Sequence, residues 1–359
     1  MATFGSLFRK RYAPMIGLDI SSSSVKLVEL DMDDRGQYTL LRAAMEPLEK
    51  GSVVDGNIEK LDDVVEAVRK VVRKSGTKAK QVAMALPPSA VITKKIVLPG
   101  ELREEEIEVQ VESEANQYIP FAIDEVALDF SVLGPSSTSP GDQEVLIAAS
   151  RREKVDDRRG IAEAAGLKPV VMDIEAFASR LAAQRLIERL PRAGLDLLVA
   201  LFEVGASSTS LQILRNGETL YDRDQAFGGA QLTQMIARTY GFSLEEAEAK
   251  KRAADLPDDY ATHVLAPYMD SLTQEIARAL QFFYRATPFG RVDYILLAGG
   301  SSALPGLAEK ITATASVACM VINPFEGMAV AESVREKKLR SQAPSYLTCC
   351  GLAMRRFLQ

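Results

Sequence analysis

The fold is decided by Ile16-Gly-Leu-Asp-Ile-Ser-Ser-Ser-Ser-Val-Lys-Leu-Val-Glu-Leu30 together with Ala200-Leu-Phe-Glu-Val-Gly-Ala-Ser-Ser-Thr-Ser-Leu-Gln-Ile-Leu214. When the two are aligned, Asp19 falls on Glu203, and the serines at 21–24 fall on residues 205–208. Each stretch is typical of a buried strand with an acid near its end, a turn of small residues and a second strand. One such hairpin alone would be an exposed turn, whereas two matched hairpins favour a pair that faces across a cleft.

The two turns have the composition that a phosphate-binding loop needs. Small residues let backbone N–H groups approach a triphosphate closely, and serine or threonine hydroxyls add further donors. The two acids can hold a hydrated Mg²⁺, and Lys26 can add a point charge. The predicted ATP-binding residues are Asp19, Ser21, Ser22, Ser23, Ser24, Lys26, Glu203, Gly205, Ala206, Ser207, Ser208 and Thr209, with Asp19 and Glu203 as metal ligands. The Gly-x4-Gly-Lys-Ser pattern of a P-loop does not occur in either turn.

A third stretch, Leu296-Leu-Ala-Gly-Gly-Ser-Ser-Ala-Leu-Pro-Gly-Leu307, is typical of a strand, a double-glycine turn and the start of a helix. Gly299, Gly300 and Ser301 would let a flat adenosine lie against the backbone. By itself, a double glycine after a strand is also typical of a tight connection between two elements. It indicates an adenosine site only in combination with the two hairpins.

Composition limits the other function classes. The 359 residues suffice for two domains or one bilobal unit, and the net charge of −6 gives no overall basic footprint for nucleic acid. Only His263 could serve a histidine-based triad, and we expect it on the surface. Cys319, Cys349 and Cys350 do not have the spacing of a zinc site, so we expect reduced, packed thiols, as in a cytosolic protein. We expect no membrane-spanning helix, because no run of about 18 apolar residues occurs.

Periodicity predicts helices at Leu61–Lys74, Glu104–Ile119, Gly327–Arg340 and Ser345–Leu358. The helix at Glu104–Ile119 is rich in glutamate outside its apolar stripe. The segment Met1–Arg11 is too short in its apolar part for a signal peptide, and a frayed terminus is favoured over a membrane-surface helix.

The three motifs resemble, in order and spacing, the phosphate-1, phosphate-2 and adenosine motifs of the actin-like ATPase superfamily. The resemblance covers nearly the whole chain. It implies an α/β, ribonuclease H-like fold of two lobes, with ATP and Mg²⁺ in the cleft between them.

The same resemblance implies roles for further residues. Asp173-Ile-Glu-Ala-Phe177 looks like the first connecting helix, which makes Glu175 the catalytic candidate near the attacking water. Phe227-Gly-Gly-Ala-Gln231 resembles the stretch after phosphate-2, so Gly228 and Gly229 join the ATP site. Ala247-Glu-Ala-Lys-Lys251 resembles the helix that reaches the ribose and adenine, a role that falls to Glu248 and Lys251. For this pair, a solvated charged helix face is the alternative.

Within the superfamily, residues 89–170 resemble the relocated small subdomain of the division protein FtsA. The stretches Gly17–Lys26 and Asp173–Phe177 look most like the PilM family of type IV pilus assembly proteins, over about 15 to 357. The implied subdomains are 15–88 with 171–194 (1A), 89–170 (inserted 1C), 195–222 with 291–343 (2A), 223–290 (2B) and a C-terminal helix, 344–359, that returns to 1A. Glu203 stands where the family usually has Asp, so we expect ATP binding with slow or absent hydrolysis.

The resemblance implies a cytoplasmic ring or platform component that grips the cytoplasmic N-terminal peptide of the inner-membrane protein PilN and communicates with the pilus motor ATPases. We expect this peptide in the groove between 1A and the 89–170 insertion. No amphipathic tail follows the last predicted helix, so membrane attachment is expected through partners. A filament-forming cytoskeletal protein and a small-molecule kinase of the same fold are the alternatives, although the turns offer no spare carboxylate base for a kinase.

Overall fold

The computed structural model describes residues 12–136 and 138–358, and the expectation for Met1–Arg11 therefore lies outside the described residues. The strands are, in chain order, β1 (Met15–Ile20), β2 (Ser24–Met32), β3 (Tyr38–Pro47), β4 (Val53–Val54), β5 (Asn57–Ile58), β6 (Gln81–Leu86), β7 (Val91–Pro99), β8 (Val126–Pro135), β9 (Asp142–Arg151), β10 (Lys168–Ile174), β11 (Val199–Val204), β12 (Thr209–Arg215), β13 (Glu218–Gln225), β14 (Tyr294–Ala298), β15 (Ala318–Val321) and β16 (Ala329–Val330). The helices are α1 (Leu61–Ser75), α2 (Glu104–Tyr118), α3 (Arg152–Ala164), α4 (Glu175–Ile187), α5 (Gly229–Tyr240), α6 (Leu244–Ala253), α7 (Ala266–Ala286), α8 (Leu307–Ala315), α9 (Glu336–Gln342) and α10 (Leu347–Met354).

Two larger sheets organise the molecule. The first has the order β10-β6-β1-β2-β3-β16 and the second the order β13-β12-β11-β14-β15. In the first sheet β1 pairs antiparallel with β2 and parallel with β6, and in the second β11 pairs antiparallel with β12 and parallel with β14. The repeated sequence therefore folds into repeated structure, and the predicted two-lobed α/β fold is confirmed.

The helices α4 and α10 lie in a core that both sheets share, with Leu30 of β2 and Leu201 of β11 in the same apolar cluster. Two glycines allow close backbone contact there. A Cβ on Gly351 of α10 would lie 1.8 Å from the carbonyl oxygen of Ala178 in α4, and a Cβ on Gly17 of β1 would lie 2.4 Å from that of Cys349. Because real Cβ atoms do not come so close, a larger residue at either position would push α10 away from its neighbours.

A separate three-stranded sheet, β7-β9-β8, is formed within residues 91–151. Helix α2 covers it, with Ile107 and Val111 packed against Ile96 and Val145.

Helix α3 belongs to a different core. Its residues Ile161 and Ala162 pack with Ile16 and Val68 of the first lobe. Helix α3, which the sequence-based bounds assign to the 89–170 insertion, thus packs with the first lobe, and the subdomain bounds themselves stay a prediction. The apolar side of α3 packs on the first lobe. The sequence of α3 alone does not indicate whether this side covers the first lobe or the inserted sheet.

The predicted helix at Gly327–Arg340 is wrong. Gly327 has a φ of 75°, and residues 329–330 pair in parallel with Thr39 and Leu40 at the edge of the first sheet. Helix α9 begins only at Glu336. The predicted helix at Ser345–Leu358 is α-helical from Leu347 to Met354, with a single 3₁₀ turn on either side.

The expectations for two of the helices, for His263 and for the cysteines agree with the structure. Helices α1 and α2 match their predicted bounds to within one residue. His263 is exposed and lies 3.3 Å from an Asp259 carboxylate oxygen. The three cysteines are free thiols, with Cys349 and Cys350 buried and Cys319 half-buried. Across residues 12–136 and 138–358, no helix combines the length and the apolar character needed to cross a membrane.

Candidate functional site

The turns of the two hairpins lie against each other. The Oγ atoms of Ser22 and Ser207 are 3.3 Å apart, although 185 positions separate them in the chain. Each turn is closed by a backbone hydrogen bond, from the Ser21 amide to the Ser24 carbonyl at 3.0 Å and from the Gly205 amide to the Ser208 carbonyl at 2.9 Å. The predicted facing of the two hairpins is confirmed, and a ligand that enters between the turns has to replace this hydroxyl contact.

Two hydroxyls of the predicted set are used inside the hairpins. Ser24 is 6% exposed, and its Oγ lies 3.4 Å from the Ser21 Oγ. Thr209 is 4% exposed, and its Oγ1 donates to the Phe227 carbonyl at 2.6 Å. These two side chains stabilise the turns, while Ser22 and Ser207 remain on the open side.

Asp19 and Lys26 form a buried ion pair at the end of the first hairpin. They are opposite each other on β1 and β2, and the Lys26 Nζ donates to the Asp19 Oδ2 at 2.7 Å and to the Ser21 Oγ at 3.2 Å. Burial lowers the pKa of Lys26, but the Asp19 carboxylate outweighs it, so the net pKa is raised. Lys26 is therefore charged, and its charge is directed at Asp19.

Glu203, on β11, is tied to the two shared helices. The Thr348 Oγ1 of α10 donates to the Glu203 Oε2 at 3.2 Å, and the Ser179 Oγ of α4 lies 2.9 Å from the Thr348 Oγ1. Burial raises the pKa of Glu203, the hydrogen bonds from Ser179 and Thr348 oppose this, and the Asp19 charge raises it further. Sequence reasoning missed Ser179 and Thr348, because single small polar residues on an apolar helix face carry no local signal.

Glu175 is the first residue of α4 and lies in the same electrostatic environment. Burial raises its pKa to about 8, with Arg158 opposing this shift and the charges of Asp19 and Glu203 adding to it. Arg158, on α3, is only 3% exposed. Sequence reasoning missed it as well, since the charged run at 151–159 is typical of a solvated helix face. The carboxylates of Asp19, Glu175 and Glu203 thus lie within electrostatic reach of one another and of two buried cations, Lys26 and Arg158.

The donor set fits a magnesium ion held jointly by protein and phosphate. Within the described part of the chain, no group of three or more His, Cys, Asp or Glu side chains could hold a metal ion. Mg²⁺ usually keeps several waters and takes one or two carboxylates together with substrate phosphates. The Asp19 carboxylate is close enough to Glu203 for its charge to raise the pKa of Glu203, and two neighbouring carboxylates suit this mode of Mg²⁺ binding.

The turn after β14 packs on the end of β11. Gly299 has a φ of 88°, and a Cβ there would lie 2.3 Å from the Val204 carbonyl oxygen. The Ser301 amide donates to the same carbonyl at 3.2 Å. Gly299 is thus required for packing between strands, whereas a Cβ on Gly300 would meet no protein atom within 4 Å. The open side of this turn lies at Gly300.

Gly228 and Gly229 bring the start of α5 onto the turn of the second hairpin. A Cβ on Gly228 would lie 2.7 Å from the carbonyl oxygens of both Gly205 and Ala206. The Gly229 amide donates to the Gly205 carbonyl at 2.9 Å, and a Cβ on Gly229 would lie 2.6 Å from the Ser301 Oγ. The turn of the second hairpin, the turn after β14 and the glycines at 228–229 are therefore in contact and form one continuous surface.

Glu248 and Lys251 face this surface rather than solvent. The Lys251 Nζ lies 2.5 Å from the Glu248 Oε2, and their side chains are 22% and 33% exposed, respectively. Thr233 of α5 bridges them, accepting from Lys251 and donating to Glu248 at 2.6 Å each, and the Lys251 Nζ reaches the Gly229 carbonyl at 3.4 Å. Burial alone would raise the pKa of Glu248, but the hydrogen bonds from Lys251 and Thr233 outweigh it and lower it. These contacts argue against a fully solvated helix face.

Comparison with known proteins identifies the family. The family model of the type IV pilus assembly protein PilM matches residues 17–357. A solved PilM-PilN type IV pilus biogenesis complex is 32% identical, with a TM-score of 0.79, and the match covers 96% of this chain and 99% of that one.

More distant matches lie among ethanolamine utilization proteins. The EutJ structure from Carboxydothermus hydrogenoformans shares the fold, with a TM-score of 0.57 at 16% identity over 97% of this chain and 90% of that one. EutJ of Escherichia coli (strain K12) is 30% identical over 123 residues, which are 33% of this chain and 41% of that protein. This chain thus matches less than half the length of that relative.

The paired hairpins, the double-glycine turn and these similarities agree. The fold is that of the actin-like ATPases, and the chain belongs to the type IV pilus assembly protein PilM family.

Proposed function

We propose that this chain is a cytoplasmic ATP-binding scaffold of the type IV pilus assembly machine, next to the inner membrane. Membership of the PilM family supports the assembly role. The observation that carries the nucleotide-binding part is the contact between Ser22 and Ser207, which joins two small-residue turns, with the buried Asp19 behind the first and the half-buried Glu203 behind the second.

In the proposed site, the turn amides and the hydroxyls of Ser22 and Ser207 bind the phosphates. Asp19 and Glu203 hold Mg²⁺, which would neutralise phosphate charge. Gly300 leaves room for the adenosine, and Glu248 and Lys251, beside Gly229, bind its ribose and base. The first amides of α5 donate to the second turn, from Gly229 to the Gly205 carbonyl at 2.9 Å and from Ala230 to the Ala206 carbonyl at 2.8 Å, so α5 contributes the positive end of its dipole rather than free N–H groups.

Hydrolysis at this site is proposed to be slow or absent. Phosphoryl transfer depends on positioning and on charge stabilisation. Here Lys26 is engaged by Asp19 at 2.7 Å, and Glu203 accepts a hydrogen bond from Thr348. Glu175, with a pKa near 8, is the candidate for orienting water. The arrangement favours retention of nucleotide over rapid turnover.

The proposed partners are the cytoplasmic N-terminal peptide of PilN and the pilus motor ATPases, with membrane contact only through these partners. Support for PilN comes from the similar structure, which is a PilM-PilN complex. The proposed place is the groove between the first lobe and the inserted sheet β7-β9-β8. A homo-oligomer or ring is compatible with this role.

Two measurements test the proposal. Protein purified without added nucleotide is denatured and the released small molecules are identified, and a PilN N-terminal peptide is titrated calorimetrically against the full chain. We expect bound adenine nucleotide and peptide binding that weakens about tenfold, or about 1.4 kcal/mol, when Ala90→Leu adds bulk where the chain enters the insertion. Ala286→Leu, at an exposed position of α7, is the matched control. Absence of peptide binding by the full chain would contradict the scaffold role.

A further inference from the structure

Two buried cations lie behind the turn of the first hairpin, and their hydrogen-bond partners differ. Lys26 forms an ion pair with Asp19 at 2.7 Å. Arg158, on α3, is 3% exposed, and its guanidinium donates to two backbone carbonyls, from Nη1 to Ile20 at 3.3 Å and from Nη2 to Gly56 at 3.2 Å. A carbonyl carries no net charge, so these two bonds hold the guanidinium in place without cancelling its charge.

The balance between burial and neighbouring charges also differs between the two cations. For Lys26, burial lowers the pKa, but the Asp19 carboxylate outweighs it and the pKa is raised. For Arg158, burial outweighs the charges of Glu175, Asp19 and Asp157, and the pKa is lowered. Because arginine stays protonated in proteins, the fold buries a charge that its own carboxylates compensate only in part. An anion that binds nearby would complete the compensation.

Arg158 lies at the start of the turn that is proposed to bind phosphate. Ile20 is the last residue of β1, and its carbonyl accepts the Arg158 hydrogen bond. The N–H of the same peptide unit belongs to Ser21 and donates to the Ser24 carbonyl at 3.0 Å. This peptide is therefore held at both ends, and the guanidinium is fixed one peptide behind the turn of the first hairpin.

We propose that Arg158 is an electrostatic residue of the nucleotide site, whose buried charge attracts the phosphates through the turn of the first hairpin without touching them. This inference rests on the proposed function. The sequence predicts Lys26 as the point charge near the phosphates, but Asp19 neutralises it by direct contact. The two bonds to neutral carbonyls leave Arg158 as the cation whose charge is available to the ligand.

The expected effect follows from Coulomb's law. At an effective dielectric constant of about 20, two unit charges about 10 Å apart interact strongly enough to change an equilibrium constant about tenfold. Burial protects this interaction from screening by salt. The effect grows with the negative charge of the ligand, so we expect it to be largest for ATP, smaller for ADP and absent for adenosine.

The test is calorimetric titration of ATP, ADP and adenosine, each with Mg²⁺, into the wild type and three variants. Arg158→Gln should weaken ATP binding about tenfold, ADP binding less, and adenosine binding not at all. Arg158→Lys keeps the charge and should restore most of the ATP affinity. Arg159→Gln is the matched control, because it removes the same charge from the next residue of α3, whose side chain is 54% exposed. Its ATP affinity should equal that of the wild type.

The lysine variant separates the charge of Arg158 from its shape. The planar guanidinium bridges two carbonyls in a fixed geometry that a single amino group does not reproduce. If Arg158 were only a structural bridge, Arg158→Lys would lose as much ATP affinity as Arg158→Gln. That result, or unchanged ATP affinity in a folded Arg158→Gln, would overturn the inference and leave the nucleotide site standing. Failure of the wild type to bind ATP would refute the nucleotide site, and this inference with it.

A measurement on the wild type keeps the test independent of how well the variants fold. In a crystal structure with Mg²⁺ and a non-hydrolysable ATP analogue, Arg158 should still donate to the Ile20 carbonyl. The nearest phosphate oxygen should lie within about 10 Å of the guanidinium, where one unit charge still has about a tenfold effect. A phosphate chain bound farther away would overturn the inference.

Discussion

Asp19 and Lys26 face each other across the first hairpin, with the Oδ2 and Nζ atoms 2.7 Å apart and both side chains 8% exposed. The acid proposed as a metal ligand thus also neutralises a buried lysine. Removing one partner of a buried pair leaves an uncompensated charge, which typically costs about 3–5 kcal/mol. Any substitution at this site therefore has to be separated into its effect on binding and its effect on folding.

For Asp19 we expect Asp19→Ala to lose affinity for ATP with Mg²⁺ and to be destabilised by about 3–5 kcal/mol, because Lys26 is left buried and unpaired. The double variant Asp19→Asn with Lys26→Met removes both charges and should recover most of the stability without recovering nucleotide affinity. Denaturant unfolding and calorimetric titration measure the two effects. Unchanged ATP affinity in a folded Asp19→Ala variant would exclude the site.

For turnover we expect ATP hydrolysis to be well below the kinase range of about 1–100 s⁻¹, since Lys26 and Glu203 are both engaged by protein groups. If a slow rate is measurable, Glu175→Gln should lower it and leave ATP affinity nearly unchanged. Release of phosphate under single-turnover conditions is the measurement. Rates within the kinase range would show that these contacts do not restrain the chemistry.

For pH dependence we expect Glu175 to destabilise the fold increasingly as the pH rises. Its pKa is raised from 4.5 to about 8, chiefly by burial, so the folded state holds a proton that the unfolded state has lost between these values. Stability should fall across this window, and the loss should be complete above it. The difference in thermal midpoint between Glu175→Gln and the wild type should therefore grow from pH 5 to pH 8. A constant difference would mean that Glu175 is ionised throughout.

For the glycines we expect Gly228→Ala and Gly300→Ala to differ. A Cβ on Gly228 would lie 2.7 Å from two backbone oxygens, so the second turn has to shift, with a cost of about 1–3 kcal/mol and weaker ATP binding. A Cβ on Gly300 meets no protein atom within 4 Å, so Gly300→Ala should leave stability intact and still weaken ATP binding. Thermal unfolding and nucleotide titration measure both. Normal ATP affinity in Gly300→Ala would mean that the adenosine does not bind at this turn.

The sequence by itself determined the elements whose signals are local. The hairpins at 16–30 and 200–214, helix α1 and its end at Gly76 follow from apolar periodicity and turn composition within a few residues. The internal repeat also indicated that Asp19 and Glu203 occupy equivalent positions, because equal patterns fold into equal hairpins.

Only the tertiary structure decided which distant groups meet. Helix α3 has an apolar side that fits either neighbour, and its packing on the first lobe brings Arg158 to Ile20. Residues 329–330 form a strand because an edge of the first sheet is free to pair with them. In the sequence, Thr348 and Arg158 resemble ordinary helix residues, because a local pattern reflects only neighbours along the chain. Their roles arise from burial beside carboxylates and carbonyls that lie far away in sequence.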